Sequence, residues 1–154
     1  MITVVKTNDF KITGNGASEE WKKASWVKVP VRAAKGAGYE TNTKLMYSEK
    51  GLYFLYSCAD KKLTASLEAD FLHLWDEDVV EVFLQPDTSI ADYFEYELSP
   101  LNYELPIMIY NRGGKLNSWM PFGYEGDRKT VHQTAITGGE KKSECTGRAR
   151  ITGV

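Results

Sequence analysis

Residues Trp75-Asp76-Glu77-Asp78-Val79-Val80-Glu81-Val82-Phe83 decide how this chain reads. An acidic approach carrying an indole runs into a short apolar stretch whose valines spell a strand. Side chains alternate along a strand, so Val80, Val82 and Leu84 share one face. That face is expected to be core-bound. Glu81 then lies on the other face, with Val79, Phe83 and Gln85. A carboxylate there needs a hydrogen-bond partner or open water, because burying it unpaired is costly. An indole beside an oriented carboxylate is also a means of holding a sugar. The flat ring covers the C–H face, and the acid accepts hydrogen bonds from two hydroxyls.

Outward from that stretch the texture stays β. Candidate strands cover residues 2–6, 27–30, 41–48, 51–58, 79–85, 93–99, 105–110 and 116–121, with turn residues between them. Glu49-Lys50-Gly51 and Arg112-Gly113-Gly114-Lys115 read as hairpin turns. Leu52, Phe54, Tyr56 and Cys58 make one face of their strand, and Phe94, Tyr96 and Leu98 one face of theirs. A short helix fits residues 18–24 or 63–72. Many short strands at regular spacing predict an all-β fold, an antiparallel β-sandwich or jelly roll with at most one or two short helices. Residues 123–147 are polar, with Gly138-Gly139-Glu140-Lys141-Lys142, and read as a long loop or a partly disordered stretch. Residues 148–154 look like a strand beginning, so the domain is expected to be cut short at its C-terminal end.

At 154 residues the size prior gives one domain, spanning residues 1–154. The formal charge of −2 argues against nucleic acid as a partner. No apolar run is long enough for a membrane-spanning helix, and the N-terminus lacks the pattern of a signal peptide. Cys58 and Cys145 are too few and too far apart for a metal cluster; a disulfide and two buried thiols both remain open. The unusual class is aromatic, with 4 Trp, 9 Tyr and 6 Phe.

Glu20-Trp21, Ala24 and Trp26 form a W-x-x-A-x-W element, and residues 47–60 form an aromatic hairpin. Trp75-x-x-Asp78-x-x-Glu81-Val82-Phe83-Leu84-x-Pro86-Asp87 and Tyr93-Phe94-Glu95-Tyr96-Glu97-Leu98-Ser99-Pro100 follow. In order and spacing, over roughly residues 20–110, these resemble carbohydrate-binding module family 9 and its relatives, β-sandwich domains of secreted polysaccharide-degrading systems. The resemblance implies glycan binding without catalysis, a secreted, periplasmic or cell-surface location, and a glycoside hydrolase domain or complex as partner. In characterised members two tryptophans hold a glycan end while polar side chains fix its hydroxyls. Carried over, Trp75 is one plate and Glu81 a hydroxyl acceptor. The second plate comes from a later segment, for which Trp119 stands in. The family's sugar-contacting arginine aligns with Glu97. Some members carry structural calcium, and the resemblance admits it here.

Each feature also has a plainer reading. Trp75 can cap the edge of the core. Asp78 can bind calcium, cap a turn or accept from backbone amides, the last two together being favoured. Glu81 can pair with a Lys or Arg across the sheet. Glu95 and Glu97 share the non-core face of their strand, where solvated alternation is the default. Asp76, Glu77 and Asp78 lack the spacing and central glycine of a calcium loop. Arg112 fits turn chemistry, or a loop mouth that hydrogen-bonds sugar hydroxyls. The strongest rival function is a structural or interaction domain whose sugar site is degenerate or incomplete. A glycoside hydrolase would use Glu81 with Glu95 or Glu97, although nothing in the sequence marks either with a raised pKa. A haem domain would draw on Met46, Met108, Met120, His73 and His132, but no c-type attachment motif is present.

Overall fold

The computed structural model describes residues 2–31, 39–60, 62–123, 129–137 and 147–153, the last as backbone alone. Among the described residues ten strands run in chain order: β1 (Val5–Lys6), β2 (Val27–Val29), β3 (Thr41–Tyr47), β4 (Leu52–Asp60), β5 (Val80–Leu84), β6 (Tyr93–Leu98), β7 (Glu104–Arg112), β8 (Lys115–Pro121), β9 (His132–Thr137) and β10 (Gly147–Gly153). Two 3₁₀ turns, Glu19–Lys23 and Leu74–Asp76, are the helical elements among the described residues. The fold is all-β and of the expected sandwich class, with antiparallel pairing throughout except for β1 against β3. The first of the two helix candidates is thus a 3₁₀ turn, capped by the Ser18 hydroxyl accepting from Glu20 N–H. Residues 63–72 form no helix. Their chain is held by its backbone groups instead: Asp78 takes up Thr64, and Glu104 takes up Phe71.

Two compact units divide the chain: Met1–Leu63 with Thr130–Val154, and Thr64–Lys129. The first holds the sheet β1-β3-β4-β10-β9, with β2 also paired to β3. β3 and β4 form a hairpin closed by Ser48 N–H donating to the Gly51 carbonyl at 2.9 Å. Met46 faces Tyr53 across it, and both join Ile12, Trp21, Ala24 and Leu55 in one buried cluster. Phe10 stacks on Tyr53 and meets Trp21 edge-on. Trp26 is exposed, beneath the Lys44 ammonium. Trp21 and Ala24 of the W-x-x-A-x-W element are therefore core residues.

β9 corrects the reading of residues 123–147 as loop. Thr134, Ile136 and Thr137 suit a pleated surface, and β10 supplies their ladder from Arg148↔Thr137 to Gly153↔His132. β10 also pairs with β4 over seven residues, so the strand foreseen at residues 148–154 is central in its sheet. Residues 124–128 and 138–146, with Cys145, lie outside the described residues, and with Cys145 goes the question of its pairing with Cys58.

The second unit holds the sheet β5-β6-β7-β8. Gly113 and Gly114, with φ of 58° and 73°, turn β7 into β8. Two successive positive φ values are the mark of a type I′ turn, whose twist matches that of the flanking strands.

Candidate functional site

The site is built by the register of this second sheet. Glu81 pairs with Glu97, and Phe83 with Glu95. On the next strand Glu97 faces Leu105, Glu95 faces Ile107 and Tyr93 faces Ile109. Ile109 in turn faces Trp119 on β8. Because side chains alternate, all of these project from one face of the sheet. Leu105, Ile107 and Ile109 are buried there, together with Leu74 from the segment that precedes β5. This overturns the solvated, non-core reading of Glu95 and Glu97. Val80, Val82 and Leu84 do share the opposite face, but they are only half-buried, and the buried cluster lies on the glutamates' side.

Glu97 is the extreme case, at 0% exposure. Neither of its carboxylate oxygens makes a hydrogen bond of good geometry among the described residues. The Trp75 backbone N–H and the Glu95 carboxyl lie close enough to act on it. Burial first, then the charges of Glu81 and Glu95, pushes its pKa up to about 8. Burial also raises Glu81. Glu95 is raised by burial and by the Glu81 charge. One oxygen from each of the three carboxylates can be chosen so that all lie within 4.8 Å of one another. Glu104, the other buried glutamate of this unit, makes the contrast. Its side chain accepts from the Tyr96 hydroxyl at 2.7 Å and pairs with Lys129 at 3.6 Å.

Trp75, whose backbone meets Glu97, belongs to an aromatic group. Trp75 and Trp119 meet edge to face with ring centroids 5.2 Å apart and planes at 86°. His73 stacks on Trp75 at 4.4 Å and touches Trp119 edge-on at 5.8 Å. Trp75 and Trp119 remain 37% and 40% exposed, enough for an indole face to meet a ligand. Two indoles in such contact leave no slot between them for a sugar ring. They offer instead one angled, two-sided platform. Phe83, exposed and tilted against Tyr93, extends the aromatic surface along β5.

The remaining expected residues divide. Asp78 accepts from Thr64 N–H at 2.6 Å while its own N–H donates to the Thr64 carbonyl at 2.9 Å. Glu77 accepts from the Ser66 and Leu67 amides and the Ser66 hydroxyl, and these hydrogen bonds lower its pKa. The acidic approach thus pins residues 64–67, and for Asp78 this is the backbone-amide reading. Arg112 lies at the β7–β8 hairpin, exposed and paired with Lys115. Seven residues separate it along β7 from Leu105, which faces Glu97, a rise of roughly 23 Å. The structure brings together Trp75, Trp119, Glu81 and Glu97, and leaves Arg112 apart.

Two members of the group were not among the glycan-binding residues expected from the sequence. Glu95 completes the carboxylate trio, and the signal for it was the alternation Glu95-x-Glu97 opposite Glu81 once the β5–β6 register is known. His73 packs both indoles, and no sequence pattern marks it.

Comparison with known proteins follows the same lines. The family model described as carbohydrate family 9 binding domain-like matches residues 12–107. No curated protein matches the chain. Among solved structures, a provisionally described carbohydrate-binding protein from Bacteroides uniformis ATCC 8492 is similar at TM-score 0.78 and 14% identity, over 97% of this chain and 69% of its own. A family 9 carbohydrate binding module from Caldicellulosiruptor kristjanssonii, in complex with cellotriose, is similar at TM-score 0.66 and 16% identity, over 100% of this chain and 67% of its own. Its complex with glucose gives 0.64 and 15%, over 100% and 68%. At these identities the structures establish the shared fold. With the family model covering more than half its length, this chain belongs to the carbohydrate family 9 binding domain-like family, a family of carbohydrate-binding domains.

Proposed function

We propose that the second unit binds a glycan on the face carrying Trp75, Trp119, Glu81, Glu95 and Glu97. The observation that carries this reading is that one unit presents a pair of exposed indoles and three converging carboxylates, with the Trp75 backbone against Glu97. A sugar's C–H face covers an indole, and its hydroxyls donate to carboxylate oxygens that burial has stripped of water. Gluco-configured β-linked oligosaccharides are the first candidates, since the Caldicellulosiruptor kristjanssonii module was solved with cellotriose and with glucose. The natural setting of such a module is outside the cell, in polysaccharide degradation, with a glycoside hydrolase domain or complex as its partner.

Two rival readings are weighed by the same geometry. Glycoside hydrolysis sets two carboxylates about 5 to 9.5 Å apart across the scissile bond. The three here converge on one another within 4.8 Å, a geometry suited to a common ligand. A structural domain with a degenerate site is favoured by the closed indole pair, which lacks a slot. Retention on insoluble cellulose separates that reading from ours. We expect Trp75→Ala and Trp119→Ala to lose retention while their circular dichroism stays that of the parent. Equal retention by both variants would remove the indole platform from the site.

A further inference from the structure

We propose that Glu81, Glu95 and Glu97 together hold one divalent cation of the calcium type, whose open coordination positions meet hydroxyls of the bound sugar. The inference deepens the glycan reading, and only its second half rests on it.

Three observations carry the cation. The first is convergence. Oxygens bound to calcium at about 2.4 Å can lie no more than about twice that apart, roughly 4.8 Å. The three carboxylate oxygens all fall within 4.8 Å of one another. The second is the state of Glu97, which is fully buried, points into the group, and has no hydrogen-bond partner of good geometry on either oxygen among the described residues. A buried carboxylate in that condition is costly unless something compensates it. In the same unit Glu104 is compensated by a tyrosine hydroxyl and a lysine. Glu97 has two further carboxylates instead, Glu81 opposite and Glu95 two residues away. The third is the donor set, which is oxygen alone. Hard cations take oxygen ligands, whereas zinc prefers nitrogen and sulfur. Magnesium demands near-octahedral geometry and gives up water reluctantly, so an irregular trio of carboxylates fits calcium better.

A proton held between Glu95 and Glu97 would neutralise one charge of the three. A divalent cation neutralises two and gives every carboxylate a bond. Calcium takes six to eight ligands, so positions remain for water or for two adjacent sugar hydroxyls. The Trp75 backbone lies against Glu97, so the segment that carries the indole platform borders the carboxylate group.

The test uses the full chain, stripped with EDTA and desalted. Calorimetric titration with calcium chloride, in the absence of sugar, is expected to show one saturable site. Glu97→Gln and Glu81→Gln should each weaken it at least tenfold; Glu81 is only partly buried and keeps the test open should Glu97→Gln fail to fold. Terbium, excited through nearby indole, should luminesce in the parent and be displaced by calcium but not by equimolar magnesium. No calcium heat up to millimolar concentration, or parent-like binding in both variants, overturns the site. Cellotriose is then titrated with EDTA and with calcium. At least tenfold tighter binding with calcium supports the bridge, and equal binding in both overturns it while leaving the glycan reading intact. Sugar silence in both arms beside an intact calcium site overturns the bridge and the glycan reading, and leaves the ion.

Discussion

Glu97 shows what a single side chain can mean once its neighbours are known. In the sequence Glu95 and Glu97 alternate with Tyr96 and Leu98 and read as a solvated edge. In the structure residues Leu74 and Trp75 pass over that face, and Glu97 loses contact with water altogether. That reversal was not legible, because coverage by a loop leaves no periodic signal. The presence of Glu81 on the face opposite Val80 and Val82 was legible, since alternation alone dictates it. The indole contact was half legible: Trp75 announces itself by its acidic approach, whereas Trp119 comes to it only through the β7–β8 register. Trp119→Ala removes the ring that Trp75 rests against. We expect it to weaken oligosaccharide binding about tenfold, near 1.4 kcal/mol, with little change in melting temperature, measured by calorimetric titration and scanning fluorimetry. Ile107, 3% exposed between the glutamates and the hairpin, belongs to the core of this face. Ile107→Ala should cost about 2–5 kcal/mol of stability in chemical denaturation.

At the scale of elements, eight strands were legible because their Val, Ile, Tyr and Phe residues alternate between turn signals, and the start of β10 was legible as a ninth. β9 was not, since its six residues hold one large aliphatic side chain, and its ladder depends on β10, ten or more residues further on. Gly14 offers a test of that strand. It has φ of +71°, and a Cβ there would meet the Thr134 backbone carbonyl at 2.8 Å. Gly14→Ala combines a left-handed backbone with a collision against β9. It should destabilise the first unit by more than about 1–2 kcal/mol, the cost of the backbone conformation alone. Gly114→Ala, by contrast, meets nothing within 4 Å and has only the positive φ to bear. Its cost should stay near 1 kcal/mol, and equal losses in the two variants would contradict the placement of β9 against Gly14.

At the scale of the whole molecule, the raised carboxylates make stability depend on pH. Burial pushes the Glu97 carboxyl up to about 8 in the folded state, from an ordinary value of 4.5. Between these values the folded chain holds a proton that the unfolded chain has released, so raising the pH lowers stability. In EDTA the contribution is fully present below about 4.5 and is lost as pH climbs through 8; Glu81 and Glu95, also raised, act in the same direction. Asp9, Glu20, Glu77 and Asp87, lowered by hydrogen bonds, act the other way as pH falls. The melting temperature in EDTA should therefore peak at mildly acidic pH and decline towards pH 8. Glu97→Gln should flatten that decline, as thermal scans across the range will show.

The central claim is that this domain binds glycan on the face of Trp75, and calorimetric titration of parent and Trp75→Ala with cellobiose, xylobiose and galactose, in calcium and in EDTA, tests it most directly. The account predicts saturable one-to-one binding of at least one gluco-configured sugar by the parent and none by the variant. Silence of the parent across the panel, or undiminished binding by a folded Trp75→Ala, would contradict it.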